Sequence, residues 1–422
     1  MTAGELSRSP HVLLGVGGGI AAYKVCDVVS TLAKAGVEVR AVLTDGAQRF
    51  VTPLTFATLC RHPAYTDEAF RQGDRGRPLH IELGEWADLM VLAPLTANTL
   101  AKLAYGLADN LLTNTVLAST CPLLVAPAMN TEMWEQRSVQ RNWAQVQADP
   151  RVHAVGPGAG RLACDRVGLG RMAEPVELLV MIESLLWTRG RRDLVGKSVL
   201  VSGGSTQEYL DPVRFIGNPS TGKMGVALAL AAAHRGAQVT LVHGPMTAAV
   251  LAPLATAPIA TVPVTTAAEM QAALEAALPQ VDWLVMAAAV ADVKPRDRAA
   301  TKLPKAALPE RLPLAPVPDI VAHLSRLKQP HQRLIGFAAQ TGEIVPPALQ
   351  KLTAKGLDAI VANPIDQAEG GFGSDRNQAV LLCRDRPPYP IPLCSKQTMA
   401  HHIYDGVQAL WALDSAVGPS LA

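Results

Sequence analysis

The chain has 422 residues, 49% of them apolar, 4% aromatic and 18% charged, with a formal net charge of +2. That length exceeds what one hydrophobic core usually serves, so two domains of about 200 residues each are expected. The charge leaves no footprint for nucleic acid or an anionic membrane, no apolar run reaches a span of roughly 18 residues, and residues 1–10 carry no signal-peptide core.

Six cysteines, at 26, 60, 121, 164, 383 and 394, are scattered without a CxxC pair, which fits a reducing cytoplasm and argues against structural zinc. With so few aromatics the interior must be Ala, Val and Leu, which suits helices packed closely on a parallel sheet. The run His11-Val-Leu-Leu-Gly15 reads as a short buried strand opening into Gly15-Val-Gly-Gly-Gly-Ile-Ala-Ala-Tyr-Lys24. Glycines there let backbone N–H groups approach a ligand, and the following helix points its positive end at the same place. A dinucleotide fold would favour an acidic residue ending the second strand. That strand, 37–43, ends in Thr44 with Asp45 beside it, so a mononucleotide phosphate fits better than a ribose.

His80 precedes the apolar strand 89–93, where a lone histidine is more often structural than functional. The segment Ala93-Pro-Leu-Thr-Ala-Asn-Thr99 follows that strand and is rich in hydroxyl and amide groups. Residues 106–113 open a helix leading to the next strand, Leu123-Leu-Val-Ala126, which stops at Pro127 and places Asn130 just past its carboxyl end. In open α/β sheets ligands gather there, although an N-cap reading of Asn130 is equally natural from these residues alone. Further on, glycines 160, 168 and 170 bracket Cys164, predicting an irregular, mobile loop.

In order and spacing, these segments resemble the homo-oligomeric flavin-dependent cysteine decarboxylases across roughly residues 11–175. The signatures are Gly18-Gly-Ile-Ala-Ala-Tyr-Lys24, His80, residues 93–99, Pro127-Ala-Met-Asn130 with Met133-Trp134, and Ala163-Cys164 with Gly168 and Gly170-Arg171. The resemblance implies a flavodoxin-like domain that binds FMN through Gly18, Gly19, Ile20, Ala21, Thr44, Thr96, Ala97, Asn98 and Met129. It further implies that His80 assists oxidation and decarboxylation of a C-terminal cysteine, Asn130 binds the departing carboxylate, and Cys164 supplies the proton of the reductive half. Asp165 stands where the family has Gly, and a carboxylate beside the thiol tends to raise its pKa, which suits a proton donor.

The polar stretch 187–193 reads as a domain boundary, giving domains 1–190 and 191–422. A second α/β pattern then starts with Ser198-Val-Leu-Val-Ser-Gly-Gly204. Gly217-Asn-Pro-Ser-Thr-Gly-Lys-Met224 nearly spells a P-loop but is refused: Met224 replaces the magnesium-binding Ser or Thr, and residues 206–216 separate it from the strand. It reads instead as a glycine-rich entry to a helix at 224–235. The segment Trp283–Asp292 reads as a buried strand ending in a carboxylate. Residues 294–316, with five prolines and little periodicity, read as a lid or disorder. A helix starts at Pro318-Asp-Ile-Val321, a strand covers 334–341, and Lys351 and Lys355 lie four apart on one helix face.

This half resembles phosphopantothenate–cysteine ligase from Leu210 to Asn377, through the near-P-loop, Met286-Ala-Ala-Ala-Val-Ala-Asp292 and Gly336-Phe-Ala-Ala-Gln-Thr341. The resemblance implies a Rossmann-like domain in which Asn218 orients the substrate or an acyl-cytidylate, and Lys302 acts on the activated carboxyl. CTP would be surrounded by Met286, Ala287, Ala288, Asp292, Lys302, Pro318, Asp319, Ile320, Val321, Phe337, Lys351 and Lys355, with Mg²⁺ whose protein ligands are unassigned. Pro219 and Thr221 depart from the usual polar residue and Ser.

The fold class expected is therefore α/β, two doubly wound and mainly parallel-sheet domains. The order of the two halves resembles the bacterial bifunctional enzymes that join L-cysteine to 4′-phosphopantothenate and decarboxylate the product to 4′-phosphopantetheine for coenzyme A. Family members are cytoplasmic homo-oligomers, implying trimers of flavin domains joined by ligase-domain dimers into a dodecamer. The alternatives are a chain with one half inactive, a non-catalytic flavin-binding regulatory subunit, and a pyridine-nucleotide oxidoreductase.

Overall fold

The computed structural model describes residues 9–72, 76–162, 165–367, 371 and 373–416. The chain divides into two compact units, Met1–Arg191 with Ala255–Ala257, and Arg192–Leu254 with Pro258–Ala422.

In the first unit a six-stranded sheet is formed by β1 (His11–Val16), β2 (Glu38–Leu43), β3 (Ala64–Tyr65), β4 (Leu89–Leu95), β5 (Leu123–Pro127) and β6 (Val152–Ala154). The spatial order is β3-β2-β1-β4-β5-β6, and every pairing is parallel. Its core strands are apolar without alternation because both faces are covered: Val12, Leu14 and Val16 pack into one buried cluster and Leu13 into the other. The covering helices are α1 (Ala22–Lys34), α2 (Pro53–Cys60), α3 (Asp67–Arg71), α4 (Leu79–Trp86), α5 (Ala97–Tyr105), α6 (Leu111–Ala118), α7 (Thr131–Trp134), α8 (Arg137–Gln147) and α9 (Pro175–Thr188). Strand order reverses between β1 and β4, which opens a crevice at their carboxyl ends.

The segments flanking residue 164, expected to belong to an irregular loop, pair as antiparallel strands β7 (Gly158–Arg161) and β8 (Val167–Arg171). Glycine makes this possible. Gly170 has φ +133°, and a Cβ there would lie 2.3 Å from the Met129 carbonyl oxygen, so only glycine lets β8 lie against the segment after β5. The Met129 N–H donates to the Gly170 carbonyl at 2.9 Å across that contact.

The second unit has an eight-stranded sheet of β9 (Ser198–Gly203), β12 (Gln238–His243), β13 (Ile259–Pro263), β14 (Trp283–Met286), β17 (Arg333–Gln340), β18 (Ala359–Pro364), β19 (Arg376–Cys383) and β20 (Tyr389–Ser395). Its order is β13-β12-β9-β14-β17-β18-β19-β20, parallel except for the last two pairings. Two small hairpins lie outside it, β10 (Gln207–Tyr209) with β11 (Phe215–Gly217) and β15 (Val293–Pro295) with β16 (Leu314–Pro316). The segment 294–316, expected to be a lid or disordered, is thus closed at its base by strand pairing. The helices are α10 (Lys223–His234), α11 (Ala248–Leu251), α12 (Ala267–Ala277), α13 (Ile320–Leu327), α14 (Val345–Ala354) and α15 (Lys396–Ala416).

The strand expected over Trp283–Asp292 ends at Met286. Beyond it the chain stays hydrogen-bonded to β9 and its continuation, closing with an isolated parallel bridge between Ser205 and Ala289. The Ala287 and Ala289 N–H groups donate to the carbonyls of Ser202 and Gly204, at 3.2 and 2.8 Å, and Ala291 N–H donates to Thr206 Oγ1 at 3.0 Å. Both units are doubly wound α/β folds, as the sequence predicts.

Candidate active sites

A cavity of about 650 Å³ opens in the first unit at the carboxyl ends of β1, β4 and β5. Gly18, Gly19, Ile20 and Ala21 form one wall, Thr96 and Ala97 a second, and Met129 with Asn130 a third. Gly18 is held against Gly46, where a Cβ would meet that carbonyl carbon at 2.7 Å. No side chain caps α1 at Ala21; the first N–H groups turn back onto the glycine segment, Ala22 N–H donating to Gly19 O at 3.0 Å, and the positive end of the helix lies at the cavity. The size falls within the range of small-molecule sites, and glycine backbone beside apolar Ile20, Met129 and Met172 suits a phosphate joined to a flat ring.

Asn130 is an N-cap that also lies on the cavity wall. Its Oδ1 accepts from Met133 N–H at 3.2 Å at the start of α7. Thr44, His80 and Asn98 do not line the cavity in their own chain. Thr44 shapes the β2 turn, its Oγ1 donating to Val16 O at 3.2 Å and accepting from Ala47 N–H at 3.3 Å. Asn98 is exposed on the first turn of α5. His80 lies on α4 edge-on to Phe70, and its buried Nδ1 has no hydrogen-bond partner among the described residues. Cys164 lies outside the described residues. The next residue, Asp165, pairs with Arg161 at 2.7 Å on the hairpin.

Three cations on this cavity were not singled out from sequence. Lys24 is held by Glu174 at 2.8 Å, Arg171 reaches the same carboxylate at 2.6 Å, and Arg161 faces the cavity from β7. Lys24 and Arg171 stand inside the sequence signatures, but only the fold turns them inward. Elsewhere in the unit, burial and then the neighbouring Cys26 push the Cys60 thiol up to about 12, so it is no nucleophile at neutral pH.

A second cavity, about 570 Å³, opens in the second unit at the carboxyl ends of β14, β17 and β18. Every residue expected around the nucleotide lines it except Lys302, which is exposed on the segment between β15 and β16. Asn218 lines it too, its Nδ2 donating to Val290 O at 3.0 Å. Lys223, Lys351, Lys355 and Lys396 bring four ammonium groups to its walls. Lys355 pairs with Asp319 at 3.1 Å, and Asp319 caps α13 by accepting from Ala322 N–H at 3.0 Å. Burial would raise the Asp319 carboxyl, but the Ala322 N–H and Lys355 outweigh it and hold it below the ordinary range.

Lys223 and Lys396 were missed as a pair. Lys223 donates to Gly373 O at 3.0 Å and to Asp375 at 2.6 Å, while Lys396 donates to the carbonyls of Ser374 and Gly371. Together they pin Gly371, Gly373, Ser374 and Asp375 beside the cavity. Burial, and then Lys223, lower the pKa of Lys396, with Asp375 opposing. Among the described residues no group of three or more His, Cys, Asp or Glu side chains gathers as a metal site, and no helix is long and apolar enough to cross a membrane.

With this geometry the comparisons agree. Residues 2–186 match the family model described as Flavoprotein, and residues 194–410 match the C-terminal domain of DNA/pantothenate metabolism flavoproteins. The coenzyme A biosynthesis bifunctional protein CoaBC of Bacillus subtilis is 40% identical over 95% of this chain and 97% of its own. Its namesake in Mycobacterium bovis is 40% identical over 94% and 96%, and that of Escherichia coli K12 is 38% identical over 94% and 96%. Both cavities fall within matched regions, and the chain belongs to the family of bifunctional coenzyme A biosynthesis proteins.

Proposed function

We propose that the chain catalyses two consecutive steps: CTP-dependent ligation of L-cysteine to 4′-phosphopantothenate in the second unit, then FMN-dependent decarboxylation of the product in the first. The observation that carries this reading is the pair of cavities, one with a glycine cradle at a helix amino end, the other walled by four lysines.

A carboxylate is too poor an electrophile for an amine. CTP overcomes this by converting it to an acyl-cytidylate and releasing pyrophosphate, after which the cysteine amine attacks and releases CMP. Lys351 and Lys355, with Mg²⁺ carried by the triphosphate, offset the charge that develops on phosphate oxygens. Asn218 orients the activated carboxyl, and Lys302 reaches it from its exposed segment.

In the first unit FMN supplies the two-electron oxidation of the cysteine thiol that lets CO₂ depart, and returns the electrons afterwards. Asn130 donates its amide to the substrate carboxylate while its Oδ1 keeps α7 capped. Cys164 delivers the proton of the reductive half. The orphaned Nδ1 of His80, outside its own chain's cavity, supports a site completed between copies, as in a trimer of flavin units. Dimers of the ligase units would then build a dodecamer in the cytoplasm.

The test is incubation of the purified protein with 4′-phosphopantothenate, L-cysteine, CTP and Mg²⁺, with products followed by mass spectrometry. The expected products are 4′-phosphopantetheine, CMP, pyrophosphate and CO₂. No CTP-dependent product from competent substrates would refute the ligase, and accumulation of the cysteinyl product alone would refute the decarboxylase.

A further inference from the structure

The second unit holds another cavity, about 290 Å³, at the opposite end of its sheet from the ligase cavity. The ligase cavity takes Phe337, Ala339 and Asn363 from the carboxyl halves of β17 and β18. The smaller one takes Arg333 from the start of β17, Asp358 from just before β18, Lys328 from the end of α13, and Arg384 and Arg386 from the turn after β19. Ala359 and Cys383 are paired across β18 and β19, which brings that turn beside Asp358.

Among the described residues four cations and one carboxylate therefore line this cavity, and Arg386 makes a further contact of its own. Asp358 is already engaged: Lys328 approaches it at 2.5 Å, Arg333 at 3.9 Å, and Leu334 N–H donates to it at 2.6 Å. Arg333 is braced over the Trp411 ring, 5.7 Å from its centroid. Arg384 forms no ion pair among the described residues. Cations concentrated in a concave site with one neutralised acid focus positive potential and favour a small, highly charged anion. The volume is too small for a whole nucleotide and ample for a phosphate or diphosphate group.

The turn after α14 touches both cavities. Lys355 lines the ligase cavity, Asp358 lines the basic one, and Leu357 lines both. We propose that the basic cavity binds the phosphate or diphosphate group of a small metabolite, and that occupancy adjusts the ligase site through the turn 355–358. An anion that draws Lys328 and Arg333 towards itself withdraws them from Asp358. The left-handed point of the turn is Gly356 at φ +63°, where Ser325 Oγ donates to its carbonyl at 2.9 Å and ties it to α13. Movement there reaches Lys355 and its pair with Asp319. The second half of the proposal rests on the ligase reading; the first does not.

Calorimetric titration of the full chain with inorganic pyrophosphate, and separately with inorganic phosphate, tests it. The wild type and Lys351→Ala/Lys355→Ala are expected to share a binding event that Arg384→Glu/Arg386→Glu lacks. Which of the two anions gives that event identifies a diphosphate or a monophosphate ligand. Identical isotherms for wild type and the arginine variant would overturn the site, and this readout needs no turnover. In the coupled assay, whichever anion gives that event should change the wild-type KM for CTP about fivefold or more beyond any change in the arginine variant. Binding without any change in KM would overturn the coupling. If the double reversal impairs folding, Arg384→Gln, at an exposed position, supports the same comparison.

Discussion

Asn130 caps α7 and lines the flavin-unit cavity, so substitutions there test a structural role and a proposed chemical one separately. Its Oδ1 caps α7 at Met133, so Asn130→Ala should cost about 1 kcal/mol in thermal or denaturant unfolding, while Asn130→Asp should keep the cap. Both should lower decarboxylase kcat, because neither offers a neutral amide to the substrate carboxylate. Recovery of activity in the Asp variant would reduce Asn130 to a cap. Gly170→Ala meets the Met129 carbonyl at 2.3 Å, so the hairpin must shift away from the cavity. The variant should purify with less flavin, measured by absorbance, at similar secondary structure by circular dichroism. On the ligase side, each lysine removed from the cavity forfeits a charged hydrogen bond. Lys351→Ala should therefore raise KM for CTP about tenfold or more, with little effect on flavin content. An unchanged KM would remove Lys351 from nucleotide binding.

Among the elements, the segment 294–316 depends on a carboxylate far from it in sequence. Asp211 accepts from Val213, Arg214 and Leu303 backbone N–H groups at 2.8, 2.8 and 3.2 Å, and from Arg214 Nη1 at 2.6 Å. Leu303 adjoins Lys302, so Asp211 anchors the middle of the segment beside that lysine. Desolvation acts to raise the Asp211 carboxyl, yet these hydrogen bonds pull it down to about 2. Because the folded value lies below the ordinary one near 4, its stabilisation is present above about pH 4 and is lost as pH falls towards 2. Asp211→Asn should melt lower than wild type at neutral pH, and the gap in Tm should close between about pH 4 and 2. A gap independent of pH would contradict the assignment.

The same scale shows what sequence can and cannot reveal. The strands at 11, 89, 123, 198 and 334 were legible because two-sided burial writes an uninterrupted apolar run. The β7–β8 hairpin was not, because glycines that permit close packing look the same as glycines that permit disorder. Trp283–Asp292 reads as one strand because its small residues continue the apolar run, whereas the regular strand ends at Met286 and only an isolated bridge at Ala289 continues it. Lys396 carries no local signal at all: it opens α15 and is brought to the ligase cavity by the antiparallel strands β19 and β20.

For the whole molecule, the chemistry explains why one chain should hold both activities. The ligase leaves a cysteine with a free C-terminal carboxylate, which is the group the decarboxylase removes. Each unit has its own sheet, its own core and its own cavity, so each activity should be separable by substitution. The most direct measurement is the product mass from the Cys164→Ser chain supplied with 4′-phosphopantothenate, L-cysteine, CTP and Mg²⁺. The account predicts that CMP release continues and that a decarboxylated product accumulates two hydrogens lighter than 4′-phosphopantetheine, because the proton for the reductive half is missing. Normal formation of 4′-phosphopantetheine, or loss of CMP release along with it, would contradict a two-site enzyme in which Cys164 serves only the second step.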